Sequence, residues 1–191
     1  MVPPLRRSPL VGWPVARGHA TALIRPSECA ADSDLEWTAL TPGEFMSNLL
    51  EWAETLRERG YVTEPFPDVR SAIVHEADIA AVAATALVQG GHGGREYWVT
   101  GPEALTVHDK VRTISDVLGR EIRYVEQTRE EAVAGWRAAG FTQEHIEFFL
   151  EMRTNPPRQG AVPQPTVEEV TGHPPRAFER WVRENAAAFG G

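Results

Sequence analysis

Cysteine, lysine and long apolar runs are what this 191-residue chain has least of. The one cysteine, Cys29, excludes an internal disulfide and fits a reducing, cytoplasmic setting. It stands in a polar, Pro-flanked stretch without a convincing partner for nucleophilic work. The one lysine, Lys110, is the single candidate for any mechanism that needs an amine. No apolar run approaches the roughly 20 residues that cross a bilayer, which excludes a membrane span. The first residues contain an Arg pair but no continuous apolar stretch, which argues against a secretion signal. Positive charge is outnumbered: the net charge of −8 argues against a nucleic-acid surface, which would need a basic stripe. The six histidines show no metal-ligand spacing, so no metal is expected. Ser, His and acidic residues fall in no hydrolase order or elbow motif.

What is present has the pattern of an α/β protein. Residues 1–26 hold prolines without periodicity and read as an irregular or partly disordered segment; SECAADS at 27–33 suits a short helix. LEWTAL at 35–40 is apolar on both faces, as in a central parallel strand covered by helices. Phe45, Leu49, Trp52, Ala53 and Leu56 then form one helical stripe, closed by Gly60. YVTEPFPDVR reads as too rich in proline for a regular element. Residues 71–74 read as a strand, with Ile79, Val82, Ala83, Ala86 and Leu87 as the buried face of the next helix. GGHGG at 90–94 reads as a surface loop rather than a phosphate loop, because no helix opens directly after it. REYWVT and EIRYVEQ are further strands, Thr106 with Asp109 and Thr128 with Glu131 are capping boxes, and Thr142 opens another helix. Phe178, Trp181 and Val182 share one face of a last helix within 174–189.

Several of these stretches resemble the NmrA-like, NAD(P)-binding branch of the atypical short-chain dehydrogenases. Leu35, Trp37 and Thr38, then Leu40, Pro42, Phe45, Met46 and Asn48, are similar to the family's Ser-Gly-Leu-x-(Trp/Tyr)-Thr and Leu-Arg-Pro-x-x-Phe-Met-x-Asn motifs. IVHEADIAAVAATAL, REYWVTGPEALT and the ending TVEEVTGHPPRAFERWVREN follow in the family's order and spacing. Thr41 stands where the family has Arg, and Asp34 where it has Gly. Neither the family's Gly-x-x-Gly-x-x-Gly motif nor the Tyr-x-x-x-Lys dyad of ordinary short-chain dehydrogenases occurs. The resemblance therefore implies an incomplete Rossmann-like parallel sheet with a helix-rich substrate lobe over residues 27–191, the glycine-rich nucleotide half being absent.

The resemblance also implies an NAD(P)H-dependent oxidoreductase of small carbonyl, quinone or enone substrates. NAD(P) is the implied cofactor, although without the glycine motif this chain alone is not expected to bind it or to be catalytic. Pro42, Gly43 and Phe45 would border the cofactor, and Met46 and Asn48 the substrate; Phe45 and Met46 equally suit the core of the following helix. His75 with Glu76 or Asp78 is the densest ionisable cluster, and His75 and Asp78 are the catalytic candidates. The competing role for these residues is capping and anchoring a helix. A non-catalytic regulatory or partner-binding protein, and a cofactor-independent cyclase or isomerase using His75, are the other functions that suit the residues. A sheet lacking its first strands would also expose an edge to a second copy or another protein partner.

Overall fold

The computed structural model describes residues 36–191. The segment expected to be irregular at 1–26, the helix expected at 27–33, Cys29 and the start of the expected first strand lie outside the described residues.

The fold is α/β, built on two short parallel sheets joined by one buried extended segment. Strand β1, Thr38–Pro42, pairs in parallel with β3, Arg95–Val99, placing Thr38 opposite Arg95 and Pro42 opposite Val99. Strand β2, Tyr61–Glu64, pairs in parallel with β4, Arg123–Glu126. Parallel pairing requires long crossovers, which the intervening helices supply. The proline-rich stretch thus does contain a strand, contrary to expectation. Its prolines, Pro65 and Pro67, follow the ladder, where no backbone donor is needed, and Val62 is buried between the sheet and the core.

Residues 71–74 are extended as expected, but they form two isolated bridges rather than a strand, Phe45 with Val74 and Ser71 with Leu105. Their backbone groups are shared among several neighbours. The Val74 N–H donates to the Glu44 carbonyl at 2.8 Å, the Met46 N–H donates to the Val74 carbonyl at 3.0 Å, and the Ala72 N–H donates to the Gly160 carbonyl at 3.0 Å. Ala72, Ile73 and Val74 are all buried, so this segment joins the two halves of the core. Gly101 is glycine because the turn after β3 lies against the segment: a Cβ there would stand 2.0 Å from the Ile73 carbonyl oxygen.

The helical stripe after β1 begins as a 3-10 helix, Met46–Trp52, and relaxes into α1, Ala53–Arg59, which ends at left-handed Gly60. Helix α2, Glu76–Val88, is capped by the His75 ring, which accepts from the Ala77 N–H. Helices α3, Val107–Leu118, and α4, Arg129–Ala138, start on the two capping boxes legible in the sequence. Helix α5, Gln143–Thr154, starts on Thr142, and the short helices α6, Arg158–Ala161, α7, Thr166–Thr171, and α8, Phe178–Glu184, follow. The main core packs Met46, Leu56 and Ile73 against Ile114, Phe178 and Trp181.

Two burial expectations change. Strand β1 is half-buried along its whole length, since among the described residues β3 is its one neighbour. Leu87 is 86% exposed, because no described element covers the last turn of α2.

Candidate active site

In an open parallel sheet the ligand crevice lies beyond the C-terminal ends of the strands. For β1 that end is the turn Gly43–Glu44–Phe45, and the 3-10 helix that follows controls what faces outward. Residues three apart eclipse one another in a 3-10 helix. Met46, Leu49 and Trp52 accordingly form one buried row, and Phe45, Asn48 and Glu51 form an exposed row beside it. This exposed row runs from the end of β1 to a cavity of about 170 Å3, which Glu51 helps to line. A reading at 3.6 residues per turn cannot find it, because it assigns Phe45 to the buried stripe.

The cavity lies where β2 and β4 end. Its wall includes Trp52, Glu64, Gln127, Trp136 and Arg153. The Trp52 indole N–H donates to Glu64 at 2.9 Å, and the Arg153 guanidinium lies 3.7 Å from the other Glu64 oxygen. Burial pushes the Glu64 carboxyl above the usual carboxylate range, and the Glu44 charge adds to this against the pull of Arg153, Trp52 and Lys110. The Tyr124 hydroxyl donates to the Glu64 carbonyl at 2.8 Å, and burial first of all, with Glu126 and Glu64, pushes its phenol up to about 12.

Behind the turn, Lys110 is 5% exposed and donates to Glu44 at 2.7 Å and to the Ser71 hydroxyl at 3.0 Å. Ser71 in turn donates to the same Glu44 oxygen. Burial pushes the Glu44 carboxyl up, but the Lys110 ammonium and the hydrogen bonds from Lys110 and Ser71 outweigh it and leave the group below its ordinary value. The only lysine of the chain is therefore a buried strut that ties α3 and the 71–74 segment to the end of β1. Sequence spacing shows none of this: Glu44 and Lys110 are 66 residues apart.

The residues singled out in the sequence divide between this region and the frame. Phe45 is 38% exposed and Asn48 is exposed, both at the end of β1, whereas Met46 is fully buried in the core. Pro42 is half-buried and closes β1. Gly43 has a packing reason to be glycine, since a Cβ there would meet the Ala72 carbonyl oxygen at 2.9 Å. His75 caps α2 through Nδ1, and its Nε2 meets Glu184 at 2.9 Å. Asp78 is 1% exposed and accepts from the Arg176 backbone N–H at 2.8 Å and from its guanidinium. Glu76 accepts from the Ser47 N–H at 2.7 Å, so it joins α2 to the start of the 3-10 helix. None of these three lines the cavity, nor a second depression beside Glu103, Asp116, Glu179 and Arg183. Among the described residues no group of His, Cys, Asp and Glu suits a metal ion, and no helix is long and apolar enough to cross a membrane.

No family model matches the chain. Over 179 residues it is 40% identical to a (4-alkanoyl-5-oxo-2,5-dihydrofuran-3-yl)methyl phosphate reductase of Streptomyces griseus, a match covering 92% of this chain and 63% of that protein. Over 160 residues it is 37% identical to an NAD(P)H azoreductase of Xenophilus azovorans, covering 83% of this chain and 56% of the relative. The NADPH-dependent quinone oxidoreductase QOR2 of Escherichia coli, solved with NADPH, shares the fold, with a TM-score of 0.71 at 23% identity over 82% of this chain and 56% of that one. The fold is thus Rossmann-like α/β, and the two relatives are a reductase and an NAD(P)H azoreductase. The chain spans somewhat more than half the length of the curated relatives it matches.

Proposed function

We propose that the described residues form the substrate-facing part of an NAD(P)H-dependent reductase of small carbonyl, quinone or enone compounds. The observation that carries this is the exposed Phe45–Asn48–Glu51 row, which leads from the C-terminal end of β1 into a polar cavity. The relatives support the same chemistry, and the named substrate of one of them combines an oxo group with a phosphate ester.

Bound NAD(P)H would supply a hydride. On this reading Pro42 and Phe45 border its nicotinamide, and the Asn48 amide donates to the substrate oxygen on which charge develops, a contact that strengthens in the transition state. The residues fit only that end of the cofactor. The chain has no Gly-x-x-Gly-x-x-Gly motif, and the described residues contain no glycine-rich turn between a strand and a helix N-terminus to cradle a pyrophosphate. The pyrophosphate is therefore assigned to residues outside 36–191, and residues 36–191 alone are not expected to turn over substrate. The edge of β1 away from β3 has no strand beside it among the described residues, and it is assigned to a nucleotide-binding β-α-β unit.

The test is a thermal melt of the 191-residue chain with millimolar NADPH or NADH. A ligand that binds only the folded state raises the midpoint by mass action. A rise with either cofactor once a glycine-rich β-α-β unit is supplied, followed by NAD(P)H oxidation that falls about 100-fold in Asn48→Ala, carries the reading, since a single lost oxyanion donor costs about that much. If neither cofactor shifts a cooperative melt, even after a glycine-rich β-α-β unit is supplied, the non-catalytic, partner-binding alternative replaces it.

A further inference from the structure

The cavity between β2, β4 and α5 contains an arginine that, among the described residues, makes one long ion pair and no hydrogen bond. Arg153 lies over the Trp136 ring at 5.4 Å and the Phe149 ring at 5.8 Å, and 3.7 Å from Glu64. Among the described residues its guanidinium donates no hydrogen bond. The buried arginine contact elsewhere is different: Arg176 gives both its backbone N–H and its guanidinium to Asp78. Stacking holds the Arg153 plane while its N–H fork stays open, an arrangement suited to bidentate capture of an oxyanion. The side chain is 35% exposed, so the fork is reachable from solvent.

Other donors converge on the same space. Thr55, Thr63 and Gln127 line the cavity, and none of their side chains makes a hydrogen bond among the described residues. Two hydroxyls, an amide and a guanidinium supply more donors than the two oxygens of a carboxylate can use. They match the three terminal oxygens of a phosphate monoester. Two carboxylates also face the cavity and oppose an anion. Glu64 is already engaged by Trp52 and Arg153, and burial favours its neutral form. Glu51 is exposed, where water and salt screen it.

We propose that this cavity holds the phosphate monoester of the substrate, with Arg153 as its principal donor and Gln127, Thr55 and Thr63 completing the site. The proposal rests on the reductase reading for its link to the crevice at β1: the phosphate anchors one end of the substrate, and the Phe45–Asn48–Glu51 row leads to the other.

Binding can be measured without cofactor or turnover, by calorimetric titration of the full chain with inorganic phosphate and with phenyl phosphate, against phenol and benzoate. The expected result is saturable binding of both phosphates in the millimolar range or tighter, with phenol and benzoate at least tenfold weaker. Arg153→Gln should weaken phosphate at least tenfold and Arg153→Lys less, since an ammonium keeps the charge but not the planar fork. Gln127→Glu should weaken it at least tenfold by adding a carboxylate to the rim, a test that stands even if Arg153→Gln fails to fold. Arg183→Gln, at an exposed i,i+4 pair with Glu179, should change nothing. Benzoate binding as tightly as phenyl phosphate, unaltered affinity in both Arg153→Gln and Gln127→Glu, or an equal loss in Arg183→Gln would each overturn the proposal. Because no cofactor is present, such a failure leaves the reductase reading intact, and a failed cofactor melt leaves this one intact.

Discussion

The layer of β1 and β3 and the layer of β2 and β4 are built from the same kind of parallel strand pair, yet they are finished in opposite ways. Around β1 and β3 the chain is closely packed: Val74, Val82, Val99 and Val167 form an apolar cluster, and two glycines sit where a Cβ would press on backbone oxygens. Around β2 and β4 the helices α4 and α5 bury only Ala132 and Ile146, and Phe141 and Phe148 remain exposed. On that side of the sheet a polar cavity takes the place of a core, whereas on the other Val62 and Ile122 pack into the main cluster. Dense packing transmits any change of volume, whereas a loosely packed helical lobe tolerates it. The first layer therefore acts as a frame, and the second is free to vary with the ligand.

Substitutions can break this contrast, the largest effects falling in the frame. Asp78→Ala leaves the Arg176 guanidinium and backbone N–H unpaired at the start of α2, and removing one partner of a buried pair costs about 3–5 kcal/mol. Urea unfolding should show it, and a loss below about 1 kcal/mol would mean that the pair does not anchor the frame. Gly101→Ala forces the turn after β3 away from Ile73 and should cost about 1–3 kcal/mol, read in the same titration.

Glu64→Gln sharpens the contrast through pH. Glu64 has a raised folded-state value, so its contribution to stability is fully present below its unfolded value and is lost as pH rises through the folded one. Glu44, depressed by Lys110, behaves in the opposite sense: its contribution is present above its unfolded value and lost as pH falls through the folded one. The melting midpoint of Glu64→Gln relative to the parent should therefore climb as pH rises above the ordinary carboxylate range. A difference that stays flat over that rise would remove Glu64 from the buried groups. Phe148→Ser, on the exposed face of α5, should change stability by less than about 0.5 kcal/mol, and a larger loss in the urea midpoint would show that the lobe is packed after all.

Much of the fold was legible beforehand because its signals are local. Both capping boxes, Thr142 and the helix stop at Gly60 are satisfied within a few residues of chain, so neighbouring residue types suffice to reveal them. Local reading failed where backbone pairing is settled at a distance. The prolines hid β2, which exists because Arg123–Glu126 lies beside it, and the apolar run at 71–74 disguised a bridging segment as a strand. The site was half legible. Phe45 and Asn48 lie at the end of β1 as their motif implies, but Glu44, Glu64, Lys110 and Arg153 carry no short-range signal.

By itself the sequence determined the order of most helices and strands, the parallel α/β class and the turn at Pro42 and Gly43, because periodicity and caps act over a turn or two of chain. Only the tertiary structure decided that the helix after β1 winds at three residues per turn and so exposes Asn48 beside Phe45. It likewise put the single lysine under the site as a strut, and left Arg153 facing a polar cavity with its donors unspent. Those outcomes depend on charges and backbone groups brought together across 66 and 89 residues of chain, and no local pattern of residue types encodes such a distance.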